Sequence, residues 1–157
     1  MRLLIGHDAQ IAHWVGQRIA FMGDGASFGP CTAIGVVNDE QILGGVVFSD
    51  YRPMFSSIEA SFASASPRWL TPNLVRSILS YPFDQLGVNR ISSHTPRRSG
   101  PARRFLQKFG FVEEGVMREG FGDDDCIVSG LLASDWRSHR YYRGRLEDRQ
   151  AQSPNAA

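Results

Sequence analysis

Cysteine is scarce: Cys31 and Cys126 are the only two in 157 residues. They form neither a CxxC nor a Cys/His ligand spacing, which argues against a disulfide framework and a zinc module. Long apolar runs are missing too. The N-terminal MRLLIGHDAQ has one arginine and a short apolar stretch that meets polar residues by position 7, too short for a signal peptide's apolar region and far short of a membrane span. A soluble, unexported, cytoplasmic chain without a membrane partner is expected. Charge of one sign is also lacking. A formal net charge of +1 at pH 7 gives no global case for nucleic-acid binding, so any such case rests on local patches. There is no internal repeat and no linker before the C-terminal tail.

What is present suits one domain. With 42% apolar residues, a chain of this length buries roughly 68–70% of the surface its unfolded form exposes. Apolar content collapses after Trp136, where RSHRYYRGRLEDRQAQSPNAA is basic and then polar. The globular unit is therefore expected over residues 1–136, with 137–157 a partly flexible tail.

Within that unit RLLIG reads as a first strand, and Asp8 as the N-cap of an amphipathic helix carrying Ile11, Val15, Ile19 and Met22. MGDGASFGP is a turn-rich loop. CTAIGVV and ILGGVVF, joined by NDEQ, read as an antiparallel hairpin. Small residues fill the strand expected over 57–66, and a helix separates it from the strand expected over 88–95, as a parallel crossover requires. FVEEGVMREGF and CIVSGLLASDW read as two further strands around the acidic turn at 122–125.

The two later helices carry clear boundary signals. In the longer one Thr71 is the N-cap and Pro72 takes the first helical position, where a missing N–H costs little. Leu74, Val75, Ile78, Leu79, Phe83 and Leu86 recur at helical spacing, Gly87 closes the segment, and Pro82 is expected to kink it. In the shorter one Ala102, Phe105, Leu106 and Phe109 make one apolar face and Gly110 is the stop. This order sets two helix N-termini beside the ends of adjacent strands, where backbone N–H groups can hold a phosphate-bearing cofactor.

Other residues favour plain roles. His7 and His13 bracket the first helix without a third ligand, so no metal site is expected. Cys126 reads as a small buried hydrophobe. Glu113, Glu114, Glu119 and Asp123 to Asp125 form an acidic patch that either attracts a cationic amine or is a solvated hairpin.

The order of these segments, with KFGFVEEGVMRE and the closing LLASDW, resembles the GNAT acetyltransferases over residues 1–136. The likeness is strongest toward the branch of ribosomal-protein N-terminal acetyltransferases and small phage or prophage proteins. It implies an α/β (α+β) fold: a mixed, mostly antiparallel sheet of about six to seven strands, flanked by helices, with a V-shaped splay between strands four and five. Acetyl-CoA is the implied cosubstrate, its pantetheine arm inserted like an extra strand beside Phe62, Ala63 and Ser64, and its pyrophosphate over the turn holding Arg68, Leu70, Thr71 and Asn73.

The chain departs from that pattern at three places. RWLTPN has none of the family's glycines and Pro72 cannot donate an N–H. Ser99 stands where the family often has asparagine, and Leu106 where it often has tyrosine. Six basic residues and no acid lie between Arg90 and Lys108. Of these, Arg97, Arg98, Arg103 and Arg104 are candidates for the cofactor's outer phosphate, Arg103 foremost, or else the solvated face of a short helix.

The resemblance implies direct acetyl transfer to a small-molecule or peptide amine in a ternary complex, which calls for a base near the strand gap. Glu59 is the first choice and Ser99 a second catalytic candidate at the cofactor's sulfur end; Asp50, Tyr51, Glu119 and His94 are weaker choices. Two rivals stand beside this. One is a nucleic-acid-binding or modifying protein that uses Arg137, His139, Arg140, Tyr141, Tyr142, Arg143 and Arg145. The other is a scaffold whose acyl-CoA site has decayed. A homodimer is compatible with the Trp and Tyr residues near both ends.

Overall fold

A two-residue turn at Asp39, which adopts a left-handed φ of 52°, starts the architecture by folding two apolar segments into a hairpin. The computed structural model describes residues 1–19, 22 and 28–144. Its strands are β1 (Arg2–Leu4), β2 (Cys31–Asn38), β3 (Gln41–Arg52), β4 (Ser57–Ser64), β5 (Arg90–Pro96), β6 (Val112–Met117) and β7 (Cys126–Leu132). They form one sheet in the order β1-β2-β3-β4-β5-β7-β6. Every neighbouring pair is antiparallel except β4 and β5. The expected mixed, mostly antiparallel sheet is thus present, with its parallel crossover in the middle.

Helix α1 (Asp8–Gly16) covers one face, burying Ile11 and Val15 against Ala33 and Val47. Gly45 lets it come close, since a Cβ there would stand 2.9 Å from Val15 Cγ2. The other face holds the larger core, where Val75, Ile78 and Leu79 of α2 (Pro72–Ser80) and Leu106 of α3 (Gly100–Lys108) meet Ile58, Ala60, Ile91 and Leu131. Each Val, Leu or Ile side chain among these, fully buried, contributes roughly 1.5–3 kcal/mol.

Local signals operate largely as expected. Thr71 caps α2, its hydroxyl accepting from Leu74 N–H at 3.3 Å. Pro82 lies in a π-helical turn, Tyr81–Gln85, that follows α2 and is where the regular bonding ladder breaks. Gly87 and Gly110 both take positive φ, 69° and 94°.

Three expectations are corrected. Asp8 is the first residue of α1 rather than its N-cap, which is His7; its carboxylate instead accepts from Ala33 N–H at 2.8 Å, tying the helix to β2. The final strand stops at Leu132, and the segment from Ala133 turns into α4 (Ala133–Ser138), because Ala133 and Trp136 at i, i+3 spacing are both buried. Ile19 and Met22 lie beyond α1, which ends at Gly16; most of the turn-rich loop falls outside the described residues. Packing also continues past Trp136: Tyr141 and Tyr142 lie against the larger core, and Arg76 donates to the Tyr141 carbonyl at 2.8 Å. Arg145 and the rest of the tail lie outside the described residues.

Candidate active site

Strands β4 and β5 pair only at Ser57↔Arg90, Ile58↔Ile91 and Glu59↔Ser92. Beyond those pairs β4 runs on to Ser64 and β5 to Pro96, each still paired on its far side. A V-shaped slot therefore opens at Glu59 and widens toward the strand ends. Ala65 N–H donates to the Leu43 carbonyl at 2.9 Å. By the alternation of an antiparallel ladder, Ser61 and Ala63 then spend their backbone groups on β3, and those of Phe62 and Ser64 face the gap. The same alternation from Arg90 N–H, which donates to the Ser56 carbonyl at 3.2 Å, turns the backbone of His94 toward the gap from the other side.

The slot belongs to a cleft of about 920 Å³. Phe62, Trp69 and Phe105 line it without filling it. Trp69 stacks on Phe105 with ring centroids 6.1 Å apart and an interplanar angle of 14°, while Phe62 meets Phe105 edge-on at 5.4 Å. Ser99 lines the cleft from the start of α3 and makes no capping bond with its hydroxyl, although it occupies the N-cap position. On the α1 side the lining includes Arg18, which sits 3.7 Å over the Trp14 ring.

At the apex, His94 Nδ1 donates to Glu59 Oε1 at 2.9 Å. Both side chains are about one-third exposed, 33% and 28%. His94 lines the cleft, whereas Glu59 meets it through the histidine. The hydrogen bond to Glu59 raises the His94 pKa above its ordinary value; burial opposes this, and the charges of Glu59 and Asp50 add to the rise.

The remaining candidates divide. Phe62, Ala63, Ser64 and Ser99 line the cleft; Arg68, Leu70, Thr71 and Asn73 lie outside the lining, on the turn and first residues of α2. Asn73 Oδ1 accepts from Arg76, and Thr71 is the helix cap. The N–H groups of Trp69, Leu70, Thr71 and Asn73 have no partner among the described residues, so the turn retains donors despite having no glycine.

Arg103 is not free for a phosphate: Glu113 holds it by two bonds, of 2.7 and 2.9 Å. That pairing raises the arginine pKa and lowers that of Glu113. Arg97 pairs with Asp125 at 2.8 Å and Arg98 with Asp123 at 2.9 Å. Arg104 is exposed and without an ion pair among the described residues, its Nη1 folded within 2.9 Å of where a Cβ on Gly100 would stand.

The acidic hairpin is correspondingly less available to a cationic amine. Asp123, Asp124 and Asp125 clamp the turn between β5 and α3 through Arg97 and Arg98, including the Arg98 N–H on Asp124 at 3.0 Å. Glu114 takes Arg90 at 2.6 Å. Tyr141 and Tyr142 pack on the core, and His139 stacks on Trp136 at 5.4 Å, so those rings are engaged within the fold instead of standing open to bases. No group of His, Cys, Asp and Glu suited to a metal ion occurs among the described residues.

Trp69, Phe105, Arg18, Ile19 and Thr95 were missed as lining residues. A tryptophan inside RWLTPN, two residues before the helix cap, was the available signal for the first of them.

No family model matches the chain, and no curated protein sequence matches it. Solved structures do. A dodecameric spermidine N-acetyltransferase from Vibrio cholerae aligns at TM-score 0.68 and 20% identity, covering 88% of this chain and 96% of that one. The ribosomal-protein-S5-alanine acetyltransferase of Vibrio fischeri aligns at TM-score 0.58 and 20% identity, over 68% and 63% of the two chains. A structure described as a probable acetyltransferase aligns at TM-score 0.60 and 20% identity, over 69% of this chain; the match spans 65% of that protein's length. The fold is that of the GNAT acetyltransferases.

Proposed function

We propose that this chain is an acyl-CoA-dependent N-acetyltransferase acting on an amine by direct transfer in a ternary complex. One observation carries the proposal: β4 and β5 part company after Glu59↔Ser92, leaving unspent strand-edge backbone along a cleft of about 920 Å³.

The residues fit the cosubstrate. Phe62 and Ser64 offer backbone donors and acceptors to an amide-bearing tether. The free N–H groups from Trp69 to Asn73, with the positive end of α2, suit a pyrophosphate. Arg104, and Arg68 on the turn, suit the outer phosphate in place of Arg103. When bound, acetyl-CoA would supply the activated acyl group and a thiolate leaving group.

His94 is the base and Glu59 its positioning residue. With Nδ1–H donated to Glu59, the other ring nitrogen, Nε2, is left to take the proton of the acceptor amine. Ser99 is a polar contact at the α3 end of the slot. Proximity and backbone donors do the rest.

The acceptor is a small-molecule or peptide amine. The names of the solved neighbours span both classes, a polyamine and a protein alanine. Self-association is part of the proposal, supported by the dodecameric neighbour and by the exposed Val112, Val116 and Met117 on edge strand β6. No helix among the described residues is long and apolar enough to cross a membrane.

Calorimetry with acetyl-CoA tests the proposal, followed by thiol-release assays with spermidine and with an alanine-terminated peptide. Micromolar binding and release of thiol with one acceptor are expected. Absence of heat at millimolar acetyl-CoA overturns it.

A further inference from the structure

Thr95 Oγ1 is, among the described residues, the one buried side-chain oxygen or nitrogen without a hydrogen-bond partner. The residue is 7% exposed. Its backbone is engaged, because Thr95 pairs with Ile127 in the ladder between β5 and β7. Only the hydroxyl is unspent. Native proteins rarely leave a buried hydroxyl in that state, since it has surrendered water and gained nothing.

Position makes the orphan informative. Along β5 the side chains of Ile91, Ser93 and Thr95 share the buried face, while Ser92 and His94 point to the other. Thr95 is the last of the buried set, and it lines the cleft together with Ser99 and Ala102 at the start of α3. It thus flanks the widening end of the slot, next to His94 in sequence but on the opposite side of the strand. A valine would satisfy the sheet and the packing there with no polar atom to partner.

We propose that Thr95 is a ligand-binding residue of the slot, its hydroxyl hydrogen-bonding the amide-bearing tether of the acyl-CoA. This rests on the acyl-CoA reading above. A hydroxyl both donates and accepts, so it can meet either the carbonyl or the N–H of an amide. Rotation about χ1 exchanges the hydroxyl with the methyl group without moving the strand, which lets a buried oxygen turn toward a ligand as one enters.

The test is calorimetry on the full chain with two probes: acetyl-CoA, and adenosine 3′,5′-bisphosphate, which has the nucleotide but no tether. Thr95→Val should bind acetyl-CoA about three- to tenfold more weakly, the loss of one neutral hydrogen bond. Thr95→Ser, which keeps the hydroxyl, should stay within about twofold of the parent. Affinity for the bisphosphate should be the same in all three, and the melting temperature of Thr95→Val should hold or rise, because an unpaired hydroxyl has gone.

Parent-like binding of acetyl-CoA by Thr95→Val overturns the assignment, as does an equal loss for both probes, which would mark a structural role. Should Thr95→Val not fold, Thr95→Ala against Thr95→Ser makes the same comparison: loss in alanine alone supports the contact, and equal loss in both overturns it. Failure of the unaltered protein to bind acetyl-CoA removes the acyl-CoA reading itself. Tight parent binding with an indifferent valine variant removes only Thr95.

Discussion

The indole of Trp69 occupies the space that a side chain at Gly44 would take: a Cβ built on Gly44 would stand 2.2 Å from Cε3 of the ring. The turn between β4 and α2 has no glycine of its own, and here the glycine it relies on sits two strands of sequence earlier, in β3. Stacked on Phe105 and 3% exposed, the indole pins the turn to the sheet from the side-chain direction. The unpartnered N–H groups from Trp69 onward are thereby held without the backbone freedom that glycines would bring.

Gly44→Ala should therefore displace the indole. Its added methyl meets ring and not a flexible chain end, so a loss of about 1–3 kcal/mol is expected, the usual cost of overpacking a core site. The same variant should bind acetyl-CoA more weakly, because the turn loses its anchor. Urea denaturation checks the first and calorimetry the second; a denaturation midpoint equal to the parent's contradicts the anchoring role.

Glu59 and His94 give a pH-dependent prediction with a definite sign. The hydrogen bond from His94 to Glu59 raises the histidine's pKa against the opposing effect of burial. A group whose folded pKa is raised stabilises the fold in full below its unfolded value, about 6.5 for histidine, and that contribution is lost as pH rises through the folded value. Glu59→Gln should remove most of it, leaving burial opposed only by the charge of Asp50. The stability gap between the parent and Glu59→Gln should be widest at mildly acidic pH and should close on the alkaline side. NMR titration of the His94 ring should show a lower midpoint in the variant. If His94 is the base, the rise of acetyl-transfer rate with pH should shift the same way, with a reduced plateau. An unmoved ring titration would break the link between the two residues.

Much of the scaffold was legible because its signals are local. Thr71-Pro72 starts α2, Gly87 and Gly110 end helical segments, and small residues from Ala60 to Ser64 mark the strand beside the slot; each acts within a few residues of chain. What is not legible depends on partners distant in sequence. Asp8 has the chemistry of an N-cap, yet it serves an N–H on β2. Arg103 sits in a basic run that invites a phosphate, yet its partner Glu113 arrives only once β6 is laid beside α3. Glu59 stands out by its strand position and His94 by ending a neighbouring strand, but the hydrogen bond that joins them depends on two strands that meet over three residue pairs. Thr95 had no local signal, since an unpaired hydroxyl is visible only against everything around it.

The two neighbouring arginines of α3 should separate cleanly. Arg104→Gln should weaken binding of CoA and leave dephospho-CoA, which lacks the outer phosphate, unaffected. Arg103→Gln should leave the ratio of the two affinities as in the parent and instead lower thermal stability, because α3 and β6 lose the paired bonds between Arg103 and Glu113. Equal affinity ratios in parent and Arg104→Gln would remove Arg104 from the phosphate site.

Truncation after Trp136 tests whether the described part of the tail belongs to the fold. Residues beyond that point contribute Tyr141 against Phe109 at 6.1 Å, Tyr142 against Trp136 at 6.0 Å, and the carbonyl that receives Arg76. His139 adds its stack on Trp136 and a 3.2 Å contact from Nε2 to the Lys108 carbonyl. Two partly buried aromatic rings with a backbone bond should be worth about 2–4 kcal/mol, so the truncated chain should melt well below the full one. Replacing Tyr141 and Tyr142 by alanine in the full chain should reproduce most of that loss, because the rings and not the basic side chains do the packing. Nucleic-acid binding separates the two possibilities for the charges: a filter-binding signal that survives the tyrosine replacements but falls steeply with salt would assign Arg137, Arg140 and Arg143 to phosphate contact. The packing argument expects no such signal, and an unchanged melting temperature after truncation would refute it outright.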